Sequence, residues 1–167
     1  MRCVVLLASL LLLPACGGGG GGSSTPPANE PIRLSAAAVE FGPATTTAEL
    51  TVSLDAVGPV APALAKVDIE LPAGVMLATE PLAAAQPLLT WSGAMVDGRY
   101  RVVCGDDRNQ NPALLQPGPL FRLRLTTAVP RQVGSYTITL RGLQVARANG
   151  DDANTDPNPT TVSVTVR

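Results

Sequence analysis

The chain has 167 residues, which is enough for one domain of ordinary size beside an N-terminal leader and tether, and a second domain is not expected. Hydrophobic residues make up 46% of the sequence but aromatic residues only 3%, so the core must be built from Val, Leu, Ile and Ala, which favours strands. The net charge of −1 provides no basic face for nucleic acid or for anionic lipid, and nucleic acid is excluded as a partner.

The first 15 residues are typical of a signal peptide. Arg2 supplies a positive start, and the apolar run over residues 4–13 is too short to span a bilayer. Residues 13–16, Leu-Pro-Ala-Cys, resemble the lipobox of bacterial lipoproteins, although Pro14 departs from the usual residue at its position. The resemblance implies that residues 1–15 are removed and that Cys16 is acylated. The alternative is an ordinary secretory leader with an incidental cysteine.

Residues 16–30 are predicted to be a lipidated cysteine followed by a tether. Residues 17–22 are all glycine, and serine, threonine and proline follow, so this stretch cannot bury apolar surface. The acylation that the resemblance implies would anchor the chain stably in a membrane. Gly17, in place of an aspartate after the cysteine, favours the outer membrane by analogy with Gram-negative lipoproteins. We therefore expect an outer-membrane lipoprotein of the bacterial cell envelope, on the periplasmic or the surface face.

Beyond residue 30, apolar and polar residues alternate in short runs that are separated by glycine and proline. This period of two is typical of half-buried strands. The apolar positions are Ile32, Leu34, Val39, Phe41, Leu50, Val52, Leu54, Val67, Ile69, Leu71, Tyr100, Val102, Cys104, Phe121, Leu123, Leu125, Tyr136, Ile138, Leu140, Val162, Val164 and Val166. Many short strands with turns at this spacing predict an all-β, two-sheet sandwich of about eight or nine strands over residues 31–167.

Two places interrupt the alternation. After Gly142 the apolar positions become Leu143 and Val145, a change of phase by one residue that predicts a bulge or corner at the glycine. Residues 79–86 are the only plausible helical piece, because Pro81 suits a first turn and alanines follow it.

One cysteine remains in the domain after the leader is set aside. Cys104 alternates with Tyr100 and Val102, so we expect it to be buried and inert, without a disulfide in the domain.

Four segments carry a resemblance to a known family: residues 71–75 (LPAGV), 119–125 (PLFRLRL), 134–140 (GSYTITL) and 143–146 (LQVA). Their order resembles that of the cohesin-like domains of bacterial scaffolding and surface proteins, over nearly all of residues 31–167. The resemblance implies a nine-stranded jelly-roll sandwich, related in fold to cellulose-binding modules, that binds a dockerin module. It assigns no dockerin-contacting position in this chain.

The sequence contains few residues that could support catalysis. The chain contains no histidine, which removes Ser-His-Asp and Cys-His catalysis, imidazole metal sites and the commonest general base. The pairs Asp106-Asp107 and Asp151-Asp152 remain, but glycosidic catalysis needs two differently tuned carboxylates across a cleft. We interpret both pairs as solvated loop residues and expect a protein that is not an enzyme.

Residues 152–156 (DANTD) have the one-three-five oxygen spacing of a calcium loop. Pro157 stands where an EF-hand needs glycine and Ser163 where it needs a bidentate acid, so an EF-hand is excluded. A looser calcium site remains, formed by Asp151, Asp152, Asn154 and Asp156. The alternative is a plain acidic hairpin loop.

Outward charges define a candidate binding surface. The alternation turns four arginines away from the core, Arg99, Arg101, Arg122 and Arg124, with Asp68 and Glu70 outward on another strand. If these strands are neighbours in one sheet, the charges form one patterned face that suits a protein partner, since arginine is enriched at interfaces. The alternative is a solvated sheet surface with weak ion pairs.

The two function classes left open are protein binding and glycan binding. Trp91 shares the phase of Leu89 and is assigned to the core, whereas an exposed Trp91 beside Tyr100 on one flat face would indicate sugar stacking. We expect a non-enzymatic, lipid-anchored envelope protein that displays a cohesin-like module for protein partners. The alternative is a polysaccharide-binding module at the cell surface.

Overall fold

Ten β-strands make up the secondary structure of the part of the chain that the computed structural model describes, residues 31–55, 57, 61–86, 89–106 and 112–167. The predicted signal peptide, Cys16 and the tether lie outside these residues. No helix within the described ranges is long and apolar enough to cross a membrane. The strands are β1 (Leu34–Ala36), β2 (Val39–Phe41), β3 (Thr47–Leu54), β4 (Pro62–Glu70), β5 (Val75–Ala84), β6 (Thr90–Val96), β7 (Arg99–Gly105), β8 (Gly118–Thr127), β9 (Gly134–Arg147) and β10 (Thr160–Val166).

The strands form two sheets, in the orders β1-β3-β8-β5 and β2-β10-β9-β4-β7-β6. All pairs are antiparallel except β2 with β10. Most neighbours are distant in sequence, as in β3–β8 and β4–β9, which is the pattern of a crossed β-sandwich. The predicted all-β sandwich is confirmed. The strand count exceeds eight or nine because the first segment is divided into β1 and β2, which join different sheets.

The core lies between the two sheets and is aliphatic, as the composition predicts. The inward residues of the alternating runs are buried, and Phe41, Leu50, Val52, Phe121, Leu123, Leu125, Ile138 and Val164 are completely so. Leu71 and Tyr136 are partly buried against this core. Burying one such side chain stabilises the fold by about 1.5–3 kcal/mol relative to leaving it exposed.

The helix predicted over residues 79–86 is wrong, because β5 continues through Ala84 beside β8. Its register passes from Leu77 opposite Leu125 to Leu82 opposite Leu123, so residues 78–81 bulge out of the ladder. Glu80 in the bulge has a φ of 53°. Pairing with β8 satisfies the backbone of residues 82–84, and helix propensity, worth less than about 1 kcal/mol per residue, is too weak to oppose it.

The bulge predicted at Gly142 is confirmed. Strand β9 is continuous, but its register against β4 passes from Asp68 opposite Arg141 to Lys66 opposite Gln144. Gly142 and the next residue therefore face a single residue of β4, and the glycine takes a φ of 62°. Because of the extra residue, the apolar side chains after the bulge again point into the core, and Val145 is buried there.

Cys104 is buried on β7, as predicted, with 2% of its surface exposed. It is a free cysteine. Burial raises the pKa of its thiol to about 12, so the reactive thiolate is almost absent at neutral pH.

We therefore predict that Cys104 resists alkylation in the folded chain at pH 8. Labelling with iodoacetamide and mass mapping of the peptide that holds Cys104 should find it unmodified in buffer and fully modified in denaturant, since a buried thiol reacts only on opening. Rapid modification in buffer would contradict the burial of this side chain.

Candidate interaction surfaces

The four outward arginines lie on opposite sides of the sandwich. Arg99 and Arg101 are on β7 in the six-stranded sheet, whereas Arg122 and Arg124 are on β8 in the four-stranded sheet. The condition for one shared face, that these strands are neighbours in one sheet, is therefore not met. Alternation distinguishes inward from outward residues but does not reveal which strands are neighbours. A binding role for these arginines stays a prediction, but one docking surface can hold only one of the two pairs. We call the two outer surfaces the six-stranded face and the four-stranded face.

A bidentate ion pair lies on the six-stranded face. Arg101 stands directly opposite Asp68 in the β4–β7 ladder. Its Nε donates to Oδ1 at 2.7 Å and its Nη2 donates to Oδ2 at 2.9 Å. Asp68 is only 9% exposed, and the hydrogen bond from Arg101 holds the pKa of its carboxyl below the ordinary value. The pair has one well-defined geometry, because both the register and the two parallel bonds constrain it.

Glu70 extends this network across three strands. Arg99 Nε of β7 contacts one of its carboxylate oxygens at 2.7 Å, and Arg141 Nη2 of β9 contacts the other at 2.5 Å. These groups are partly exposed, so each pair stabilises the fold by no more than about 1 kcal/mol. Their consequence is geometric, since charges of both signs are held in fixed positions across β9, β4 and β7.

The ion pair on the four-stranded face is longer and more exposed than those on the six-stranded face. Arg122 and Glu49 are 3.6 Å apart at their closest charged atoms, and both side chains are 52% exposed. Arg124 lies directly opposite Glu49 in the β3–β8 ladder. The charges here are therefore held less firmly than those around Asp68.

Each face also presents an aliphatic side chain. Leu64 on β4 is 41% exposed on the six-stranded face, where a shallow groove forms beside Val103 and the edge strand β6. Met76 on β5 is 46% exposed and stands opposite Thr126 on the other face. These two residues are matched probes of the two surfaces.

Trp91 packs against the core, as predicted. Its ring meets Phe121 edge-on, with centroids 5.4 Å apart and planes at 61°. Tyr100 is buried, with 7% of its surface exposed. The two rings do not form the flat exposed platform that sugar stacking would need.

The acidic loop is arranged by local contacts. Asp156 forms an ion pair with Arg33 at 3.1 Å and accepts hydrogen bonds from Asn158, while Asp151 and Asp152 are exposed. Within the described ranges, no group of three or more His, Cys, Asp or Glu side chains could hold a metal ion. The calcium site at Asp151, Asp152, Asn154 and Asp156 stays a prediction. Of the other acidic pair, Asp107 lies outside the described residues.

We predict that Arg101→Ala lowers the free energy of unfolding clearly more than Arg122→Ala does, because it leaves the largely buried carboxylate of Asp68 without its bidentate partner. The control Arg122→Ala should cost less than about 0.5 kcal/mol, because its pair is long and exposed. Urea denaturation measures both values, and equal losses would contradict the assignment.

The stabilisation that the Asp68–Arg101 pair contributes should depend on pH. Since Arg101 lowers the pKa of Asp68 in the folded state, its stabilisation is complete above the ordinary value of 3.8 and is lost as the pH falls through the lowered value. The difference between wild type and Arg101→Ala should therefore shrink on acidification. A difference unchanged in strong acid would argue against this ion pair.

Comparison with known proteins identifies the fold. No protein-family model matches the sequence, and no curated protein matches it. Solved structures do match: the sixth cohesin of Acetivibrio cellulolyticus scaffoldin B, in complex with a mutant dockerin, has a TM-score of 0.67 at 12% identity, covering 83% of this chain and 100% of that one. A type I cohesin from a Clostridium thermocellum cohesin–dockerin complex has a TM-score of 0.65 at 15% identity, covering 83% and 100%.

The similarity extends beyond cohesins solved with a dockerin. A non-cellulosomal cohesin from the archaeon Archaeoglobus fulgidus has a TM-score of 0.60 at 12% identity, covering 81% of this chain and 92% of that one. Each of these structures is matched over nearly its whole length at low identity, so what they have in common with this chain is the fold. The domain described here is a cohesin-like β-sandwich.

Proposed function

We propose that this chain is a non-enzymatic binding module that holds a protein partner at the bacterial cell envelope through a lipid on Cys16. The observation that carries the proposal is the fold, since cohesins of this fold have been solved in complex with dockerins. A dockerin-type module is therefore the partner class that we propose. The absence of histidine from the whole sequence supports a role without catalysis.

The six-stranded face is the docking surface that we propose. It places fixed charges of both signs, around Asp68 and Glu70, beside the aliphatic side chain of Leu64. Groups that are already held in position lose little conformational entropy when a partner binds, which favours affinity. Such a surface fits a partner that carries both charges around an apolar centre, because arginine and apolar side chains are favoured at interface cores.

The two aliphatic probes test this assignment. We predict that Leu64→Arg abolishes capture of the partner from native envelope extracts, because it places an unpaired charge in the contact. The matched Met76→Arg, and the double variant Arg122→Glu, Arg124→Glu, should capture it as wild type does. Affinity capture with mass spectrometric identification of a dockerin-type protein is the measurement, and urea denaturation confirms that each variant folds.

Two results would argue against the docking surface. One is undiminished capture by Leu64→Arg. The other is loss of capture by Met76→Arg or by the double arginine variant alone, which would assign docking to the four-stranded face.

The anchor is tested separately. We predict that the mature protein begins at Cys16 and carries acyl chains, and that Cys16→Ser releases it from the membrane fraction, since acylation is what would retain it. Mass spectrometry of the N-terminal peptide checks the first part and fractionation the second. An unacylated N-terminus downstream of Gly17 would end this part of the proposal.

A further inference from the structure

The four strands at the edges of the two sheets differ in how they are protected from pairing with another chain. Proteins protect sheet edges with short strands, charges, prolines and bulges. Strands β1 and β2 have three residues each, and β5 is interrupted by the bulge that contains Glu80 and Pro81. Three edges thus carry a protective feature.

Strand β6 carries none of these features. It has seven residues, Thr90–Val96, with the sequence TWSGAMV, and it pairs with β7 without a register shift. It ends the six-stranded sheet, and no described strand pairs with its outer side. Residues 92–95 are all exposed, and Met95 is 62% exposed. Alternate residues of such an edge direct their N–H and C=O groups outward, which provides a template for another strand.

We propose that β6 is the pairing edge for a second copy of this chain, with two β6 strands antiparallel about a two-fold axis at Gly93. In that register Trp91 faces Met95 of the second copy, and Ser92 faces Ala94 of the second copy. The two six-stranded sheets would then continue into one another.

The composition of β6 is what favours a second copy as the occupant. The strand bears no charge, so two copies meet without repulsion at any position. An indole facing a thioether is a favourable contact, and it occurs twice in the symmetric pair. Such an isologous arrangement is the commonest geometry of homodimers.

The absence of a side chain at Gly93 allows the ring of Tyr100 to lie close against β6. A Cβ added there would lie 2.1 Å from the hydroxyl oxygen of Tyr100, so the ring of Tyr100 covers the inner side of β6 at this residue. The strand is thereby supported from within, while its outer edge stays open. A seven-residue edge buries less than a standard interface, so the dimer is expected to be weak and to depend on concentration.

Sedimentation velocity on the full chain over about 1 μM to 1 mM tests the proposal. The dimer fraction should rise with concentration. The double variant Ser92→Lys, Ala94→Lys should weaken dimerisation at least about tenfold, because each new lysine faces a lysine of the second copy. The matched variant Ser92→Glu, Ala94→Glu should behave in the same way. An equal mixture of the two should recover a mixed dimer, which shows that both variants fold.

A control on the other sheet, Met76→Lys, should leave the dimer unchanged. The proposal is overturned if wild type stays monomeric throughout, if the lysine variant dimerises as wild type does, or if the mixture stays monomeric. Binding of an unrelated uncharged extended peptide by a monomeric chain would assign the edge to a different partner and would also overturn it. None of these outcomes depends on the docking proposed for the six-stranded face.

Discussion

Burial of the two sheets against each other is the constraint on which the rest of this structure depends. With 3% aromatic residues and one cysteine in the described domain, the fold is held by aliphatic side chains such as Leu50 and Leu123, which are completely buried. Burial of alternate residues orders the strands, and strand pairing then satisfies their backbone groups. Because each inner face is covered by the other sheet, the outer faces and the sheet edges are what remains for binding.

Sheet pairing also organises the charges of the six-stranded face. The carboxylate of Asp68 pairs with the guanidinium of Arg101 because the β4–β7 register places the two residues opposite each other. Glu70 lies between arginines of the two flanking strands. The energetic contribution of the partly exposed pairs at Glu70 is small. Their importance is that side chains which are flexible in isolation become fixed features of a rigid surface. The four-stranded face has charges of the same kind without this order, so the two faces differ in preorganisation more than in composition.

The outer face and the outer edge of the six-stranded sheet offer different chemistry. The face presents side chains, whose pattern can discriminate between partners. The edge presents backbone groups, which are alike in every protein, so its selectivity rests on the few side chains of β6. A face and an edge of one sheet can be occupied together, because one partner lies over the strands and the other extends the sheet. The proposed partner and the proposed second copy would therefore use different parts of one sheet.

The sequence by itself determined what is local. Alternation with a period of two identified the inward residues, including Cys104, and the change of phase at Gly142 located the bulge, because side-chain direction follows directly from position along a strand. The order of short segments was enough to indicate a cohesin-like sandwich. Only the tertiary structure decided that β7 and β8 lie in different sheets and that residues 82–84 pair with β8 instead of belonging to a helix. Those outcomes depend on hydrogen bonds between segments far apart in the chain, and no local pattern records which distant strand will provide them.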